Sequence, residues 1–127
     1  MLSITPIYLA IAVFVFSALA FTVIGKRRRL RISIGDGGNS IIAHLIRGHG
    51  NFAEYVPLAL LALAVAELTG VSASVLHAAG VSLTVGRLLH AYYFLQAERI
   101  LKLRVAGMML TFFSLWSSSI ASLWHVM

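Results

Sequence analysis

The chain has no cysteine. Disulfides, thiolate metal sites and a protein-borne thiol nucleophile are therefore excluded, and any thiol chemistry must use a thiol brought by a cosubstrate. Acidic residues are scarce as well, with four Asp and Glu against ten Lys and Arg, and the charged fraction is only 11%. The five histidines form no metal set, because His44 and His49 are five apart and no carboxylate completes a site. What remains is apolar. Hydrophobic residues make up 60% of the 127, and the mean hydropathy is +0.93. That is too apolar for an ordinary soluble domain of this size, and it leaves room for one unit over residues 1–127.

Residues 2 to 25 are almost wholly apolar and then meet Lys26, Arg27, Arg28, Arg29 and Arg31. A cleavable signal peptide carries its positive charge before a shorter apolar core, so charge that follows about 20 apolar residues marks a retained spanning helix. Gly35-Asp36-Gly37-Gly38-Asn39-Ser40 is turn chemistry, and Asn39 or Ser40 can cap the next helix. The pattern predicts an all-α, integral membrane four-helix bundle with helices at about 3–25, 40–68, 72–98 and 105–124. Pro57 lies inside the second helix, where a membrane bundle tolerates a kink if neighbours satisfy the freed carbonyl. Trp116 and Trp124 are candidates for interfacial anchoring, with Trp124 nearer the chain end.

Charge sets an expected orientation. Five Lys and Arg fall at 26 to 31, three (Arg99, Lys102, Arg104) at 99 to 104, and none in the second connection. The positive-inside rule puts loops 26–39 and 99–104 in the cytoplasm and both termini outside, as in a bacterial inner membrane protein. The +6 net charge then mostly reports topology and attraction to anionic lipid, not nucleic-acid binding.

Two cations, Arg47 and Arg87, fall inside helices. Arg47, Asn51 and Glu54 stand at i, i+4 and i+7 on one face of helix 2, and His44 extends that face one turn back. Arg87, His90, Phe94 and Glu98 form a second stripe on helix 3. The two stripes lie at similar depth and can face one another, with Arg104 and Arg27 to Arg31 at the mouth. Charge inside a membrane costs several kcal/mol, by contested estimates of about 2.5 to 17, so the cluster needs partners or a ligand. Three readings are open: internal ion pairs that fix helix register, a site for an anion, or a proton or ion path. Elsewhere, His77 and His125 read as solvated near the outer face, Glu67 as an exposed helix-terminal charge, and Ser114, Ser117, Ser118, Ser119 and Ser122 as aids to close packing.

The run Arg47-x-x-x-Asn51-x-x-Glu54-Tyr55-x-Pro57, followed by Gly86-Arg87-x-x-His90, resembles the MAPEG family, membrane-associated proteins in eicosanoid and glutathione metabolism. The likeness covers essentially the whole chain and is nearest to small bacterial members, in which Gly-Asp-Gly-Gly also recurs in the first loop. It implies a homotrimer that binds glutathione as cosubstrate near the cytoplasmic face between subunits. By motif position, Arg47, Asn51, Glu54, Arg87 and His90 are similar to family glutathione contacts. Arg104 resembles the arginine set near the thiol, the catalytic candidate, and Arg28, or Arg27 beside it, the basic residue that reaches a neighbouring subunit.

There are departures from the family pattern. A tyrosine of many family enzymes falls on Phe94, with Tyr93 adjacent as the candidate, and the serine and tyrosine of some members are Val105 and Met108. The implied activity is glutathione transfer to, or peroxide reduction on, an apolar electrophile that arrives between helices 1 and 4. The alternatives are a non-catalytic member that binds a thiol or lipid anion, and a small four-helix transporter coupled through Glu54. A transporter needs Glu54 free to exchange protons, whereas Arg47 and Arg87 nearby offer it cationic partners.

Overall fold

In a computed structural model, which describes every residue except Ala97, the chain forms four helices: α1 (Thr5–Leu30), α2 (Ser40–Leu68), α3 (Ala73–Leu95) and α4 (Leu101–Val126). It is an all-α membrane bundle. Three of the helices, α1, α2 and α4, are long and apolar enough to cross a membrane. α3, which carries Arg87 and two histidines, is long enough but less apolar.

The helix ends differ from those that hydropathy predicts. α1 runs on past residue 25 to Leu30, because Lys and Arg are good helix formers and suit the negative end of the helix dipole. It stops at Arg31, whose left-handed φ of 55° turns the Ile32 N–H back to the Arg27 carbonyl at 3.0 Å, while the Arg31 N–H donates to that of Arg28. Asn39 caps α2, its Oδ1 accepting from the N–H groups of Ile41 and Ile42. α3 ends at Leu95, three residues early, as Gln96 turns to extended backbone, so Glu98 lies off the helix and outside the polar stripe. α4 starts at Leu101 instead of 105 and runs to Val126.

α2 and α3 form the centre, with α1 on one side and α4 on the other. α1 packs on α2 and α3, α4 packs on the same two, and α1 and α4 do not approach each other. Glycines allow the closest contacts. A Cβ on Gly107 would stand 2.6 Å from the Gly86 carbonyl oxygen, so α3 and α4 meet backbone to backbone at that level. Tyr8 occupies the space a side chain at Gly80 would need, and Phe94 does the same at Gly48. Ser114 and Ser118 of α4 are fully buried at this packed surface, and the Ser82 hydroxyl donates to the Leu110 carbonyl at 2.9 Å.

Two residues read from sequence as solvated are engaged. Glu67 accepts from the N–H groups of Ile4 and Thr5, each at 2.7 Å, and from that of Ser3. It therefore caps α1 from a different helix, placing a carboxylate on the positive end of the α1 dipole. His77 is exposed, yet its Nδ1 lies 2.8 Å from the Tyr8 hydroxyl, a second tie between α1 and its neighbours.

Candidate functional site

The four helices bring their basic residues to one end: the last turn of α1, the start of α2, the segment after α3 and the start of α4. Just inside that end, three helices converge on Arg87. One Nη donates to Asn51 Oδ1 on α2 at 3.0 Å. The other points to the Gly107 carbonyl at 3.4 Å and the Met108 sulfur at 3.3 Å on α4. Gly107 is what allows this approach, since a side chain there would run into His90 and Gly86. Arg87 is only 2% exposed, and all its partners are neutral. Its Nε has no acceptor.

His90 is buried one turn along α3, packed on Phe94 with ring centroids 4.9 Å apart, and its Nε2 also lacks a partner. Tyr93 is buried too, edge-on to His44 at 5.4 Å. The inner part of the predicted stripe, Arg87, His90 and Phe94, is thus one buried seam. Arg104 sits outside it, with its guanidinium 6.0 Å from the Phe94 ring centre and its side chain exposed.

The helix 2 stripe divides. Asn51 turns inward to Arg87, while Arg47 and Glu54 stay on the outer flank and pair with each other at 3.3 Å, their side chains 63% and 51% exposed. An ion pair so exposed contributes little stability. The two stripes therefore do not face each other as a closed four-residue cluster. They join through the single Asn51–Arg87 bond. Among the described residues, Arg47–Glu54 is the one ion pair, leaving Arg87 and Arg104 without a carboxylate.

Beside Glu54 a groove of about 480 Å³ runs between α2 and α4. Its floor holds Tyr55 edge-on to Phe112 at 5.7 Å, and Phe112 stacks on Trp116 at 5.4 Å. Trp116 thus lines a groove, whereas Trp124, 80% exposed at the chain end, keeps the character of an interfacial anchor. Within one chain the backbones of α1 and α4 do not approach each other, so the expected route between them is not formed inside the subunit. At the end of α1, Arg27 is used locally, its Nε donating to the Gly35 carbonyl at 3.0 Å, which leaves Arg28 exposed and without such a tie.

Sequence patterning missed the Met108 sulfur as an acceptor for Arg87, and it missed the Gly86–Gly107 approach that brings the two into reach. The small residues Gly86 and Gly107 were the available signal, because glycine inside a membrane helix marks close packing.

The fold and this cluster define a polytopic α-helical membrane protein with a charged polar seam inside one end of its bundle. Comparison with known sequences narrows that class: residues 5–124 match the profile of the MAPEG family, and the chain belongs to it. It is similar to the inner membrane protein YecN of Escherichia coli strain K12, with 32% identity over 123 residues, covering 97% of this chain and 92% of that protein. The corresponding protein of strain O6:H1 matches equally. The chain is a small bacterial member of the family.

Proposed function

We propose that the protein binds glutathione on the α2–α4 flank at the basic end of the bundle, within a homotrimer of the bacterial inner membrane. The observation that carries this reading is the charge imbalance. Arg47, Arg87 and Arg104 all lie toward that end, and the one ion pair among the described residues is Arg47–Glu54, so Arg87 and Arg104 have no carboxylate partner. Positive charge left over in an apolar bundle calls for an anion.

The residue types suit glutathione, which has two carboxylates, an ammonium group and a thiol. The planar guanidinium fork of Arg47 donates paired hydrogen bonds of the kind that carboxylates accept. Glu54, still half exposed beside Arg47, has carboxylate lone pairs left to accept from the ammonium. Arg87 is closed off inside the subunit, so its part is electrostatic, and it holds Asn51 in place. Lys102 and Arg104 occupy the first turn of α4, where the helix dipole disfavours cations, and an anion bound there relieves that repulsion. Arg28, exposed at the end of α1, completes the site from a neighbouring subunit.

When bound, glutathione supplies the nucleophile, a thiol with a pKa of about 8.5 that is mostly protonated at neutral pH. Arg104 acts on that proton equilibrium by placing a cation where the thiolate forms. The apolar groove from Tyr55 to Trp116 admits a membrane-soluble electrophile. A second reading, a member that binds without turnover, is favoured by the early part of α4 and by Phe94. Val105 and Phe94 carry no hydroxyl, and the Met108 sulfur is spent on Arg87.

Calorimetry in detergent with glutathione and an S-alkyl glutathione tests the site. Arg47→Ala and Glu54→Ala are each expected to weaken binding at least about tenfold. Unchanged affinity in both would remove the site. Turnover of a chlorinated aromatic electrophile that disappears in Arg104→Ala separates the enzyme from the binder.

A further inference from the structure

Nearer the basic end of α2 than the α2–α4 groove, α1, α2 and α3 enclose a pocket of about 350 Å³. Its rim is cationic and polar: Lys26 from α1, His44 from α2, and Gln96 and Arg99 from the segment after α3. Its floor is apolar, built on Leu45 and Phe94. None of the chain's four acidic residues lines it. The one ion pair among the described residues lies elsewhere, so Lys26 and Arg99 have no internal counterion. His44 Nε2 is shielded from solvent and has no hydrogen-bond partner. Thr22 lines the pocket one turn inward from Lys26, about 6 Å at 1.5 Å per residue, so the cavity passes from charged rim to hydrocarbon depth.

A cavity graded in this way matches a molecule with an anionic head and an apolar body. For a chain embedded in a bilayer, the molecule of that class always present at this depth is an acidic phospholipid. We propose that the α1–α2–α3 pocket is a binding site for one acidic phospholipid, with its phosphate between Lys26 and Arg99 and an acyl chain over Leu45 and Phe94. A zwitterionic phospholipid fits less well, because its ammonium would sit among cations with no carboxylate to accept it. The site is distinct from general attraction of the basic run at the end of α1 to a charged surface, which needs neither an enclosed volume nor a floor.

Native mass spectrometry of the full chain in detergent, with phosphatidylglycerol and phosphatidylethanolamine of equal chain length, tests the proposal. The unmodified chain is expected to retain phosphatidylglycerol at least about tenfold better. Lys26→Ala with Arg99→Ala should abolish that preference, and Arg29→Ala with Lys102→Ala, which removes the same charge outside the pocket, should keep it. Thr22→Trp, which fills the cavity and leaves every charge in place, should also abolish it. Equal retention of the two lipids by the unmodified chain would overturn the proposal. So would equal losses in the two double variants, full preference in Thr22→Trp, or displacement of the lipid by inorganic phosphate at matched concentration.

Discussion

Arg87 is a full positive charge, 2% exposed, held by an amide, a carbonyl and a thioether. Asn51 is the best placed of those acceptors. Asn51→Ala removes it without adding bulk and leaves a buried guanidinium N–H unmet, at a cost of about 1 to 3 kcal/mol. A clearly lower melting temperature in detergent is the expected result; a variant as stable as the parent would mean that Asn51 does not hold the arginine. The helical wheel explains why this pairing was only half legible from sequence. At about 100° per residue, Arg47 and Glu54 lie within about 20° of each other, and Asn51 about 40° to the side of Arg47. The buried face, marked by Gly48, Phe52, Val56 and Ala59, lies farther round in the same direction as Asn51. Periodicity put the three on one stripe, but the edge of the packed surface falls between Asn51 and the other two. Only the positions of the neighbouring helices fix that edge.

Among the elements, the number of helices, their order and the turns between them were readable, because apolar runs and Gly-rich breaks record them directly. Their ends were less so. Hydropathy falls where a helix leaves hydrocarbon, whereas α1 stays helical through Lys26 to Leu30 beyond that point. Pair packing is governed by features too small for a periodicity count, of which the Gly86–Gly107 approach is the clearest. In Gly107→Ala the new methyl meets the Gly86 carbonyl oxygen at 2.6 Å and the His90 backbone at 3.0 Å. Backbone cannot swing aside as a flexible side chain can, so α3 and α4 must separate, at a cost of about 1 to 3 kcal/mol. Thermal unfolding should occur at lower temperature, and glutathione affinity should fall with it as Arg87 loses the Gly107 and Met108 acceptors. Retention of both stability and affinity would contradict the close approach.

At the scale of the whole molecule, the cysteine-free sequence makes orientation directly measurable, since one introduced thiol is the sole reactive site. Ser33→Cys lies in the basic first connection and Ser72→Cys in the uncharged second one, both exposed. With the basic end in the cytoplasm, a membrane-impermeant maleimide should label Ser72→Cys in intact cells and Ser33→Cys only after the membrane is opened. The reverse pattern would invert the topology and put the proposed glutathione and lipid sites on the wrong leaflet.

The outermost helices of the subunit also carry a lesson about assembly. In the proposed trimer, a joint between α1 of one copy and α4 of the next would use two unlike surfaces, so it would repeat head to tail until the circle closes. Under the proposed site, every copy would give an Arg28 to one neighbour and accept one from the other. In a mixed circle, a copy lacking that arginine harms the pocket of its neighbour and leaves its own intact, so the defect is felt one position away from the mutation.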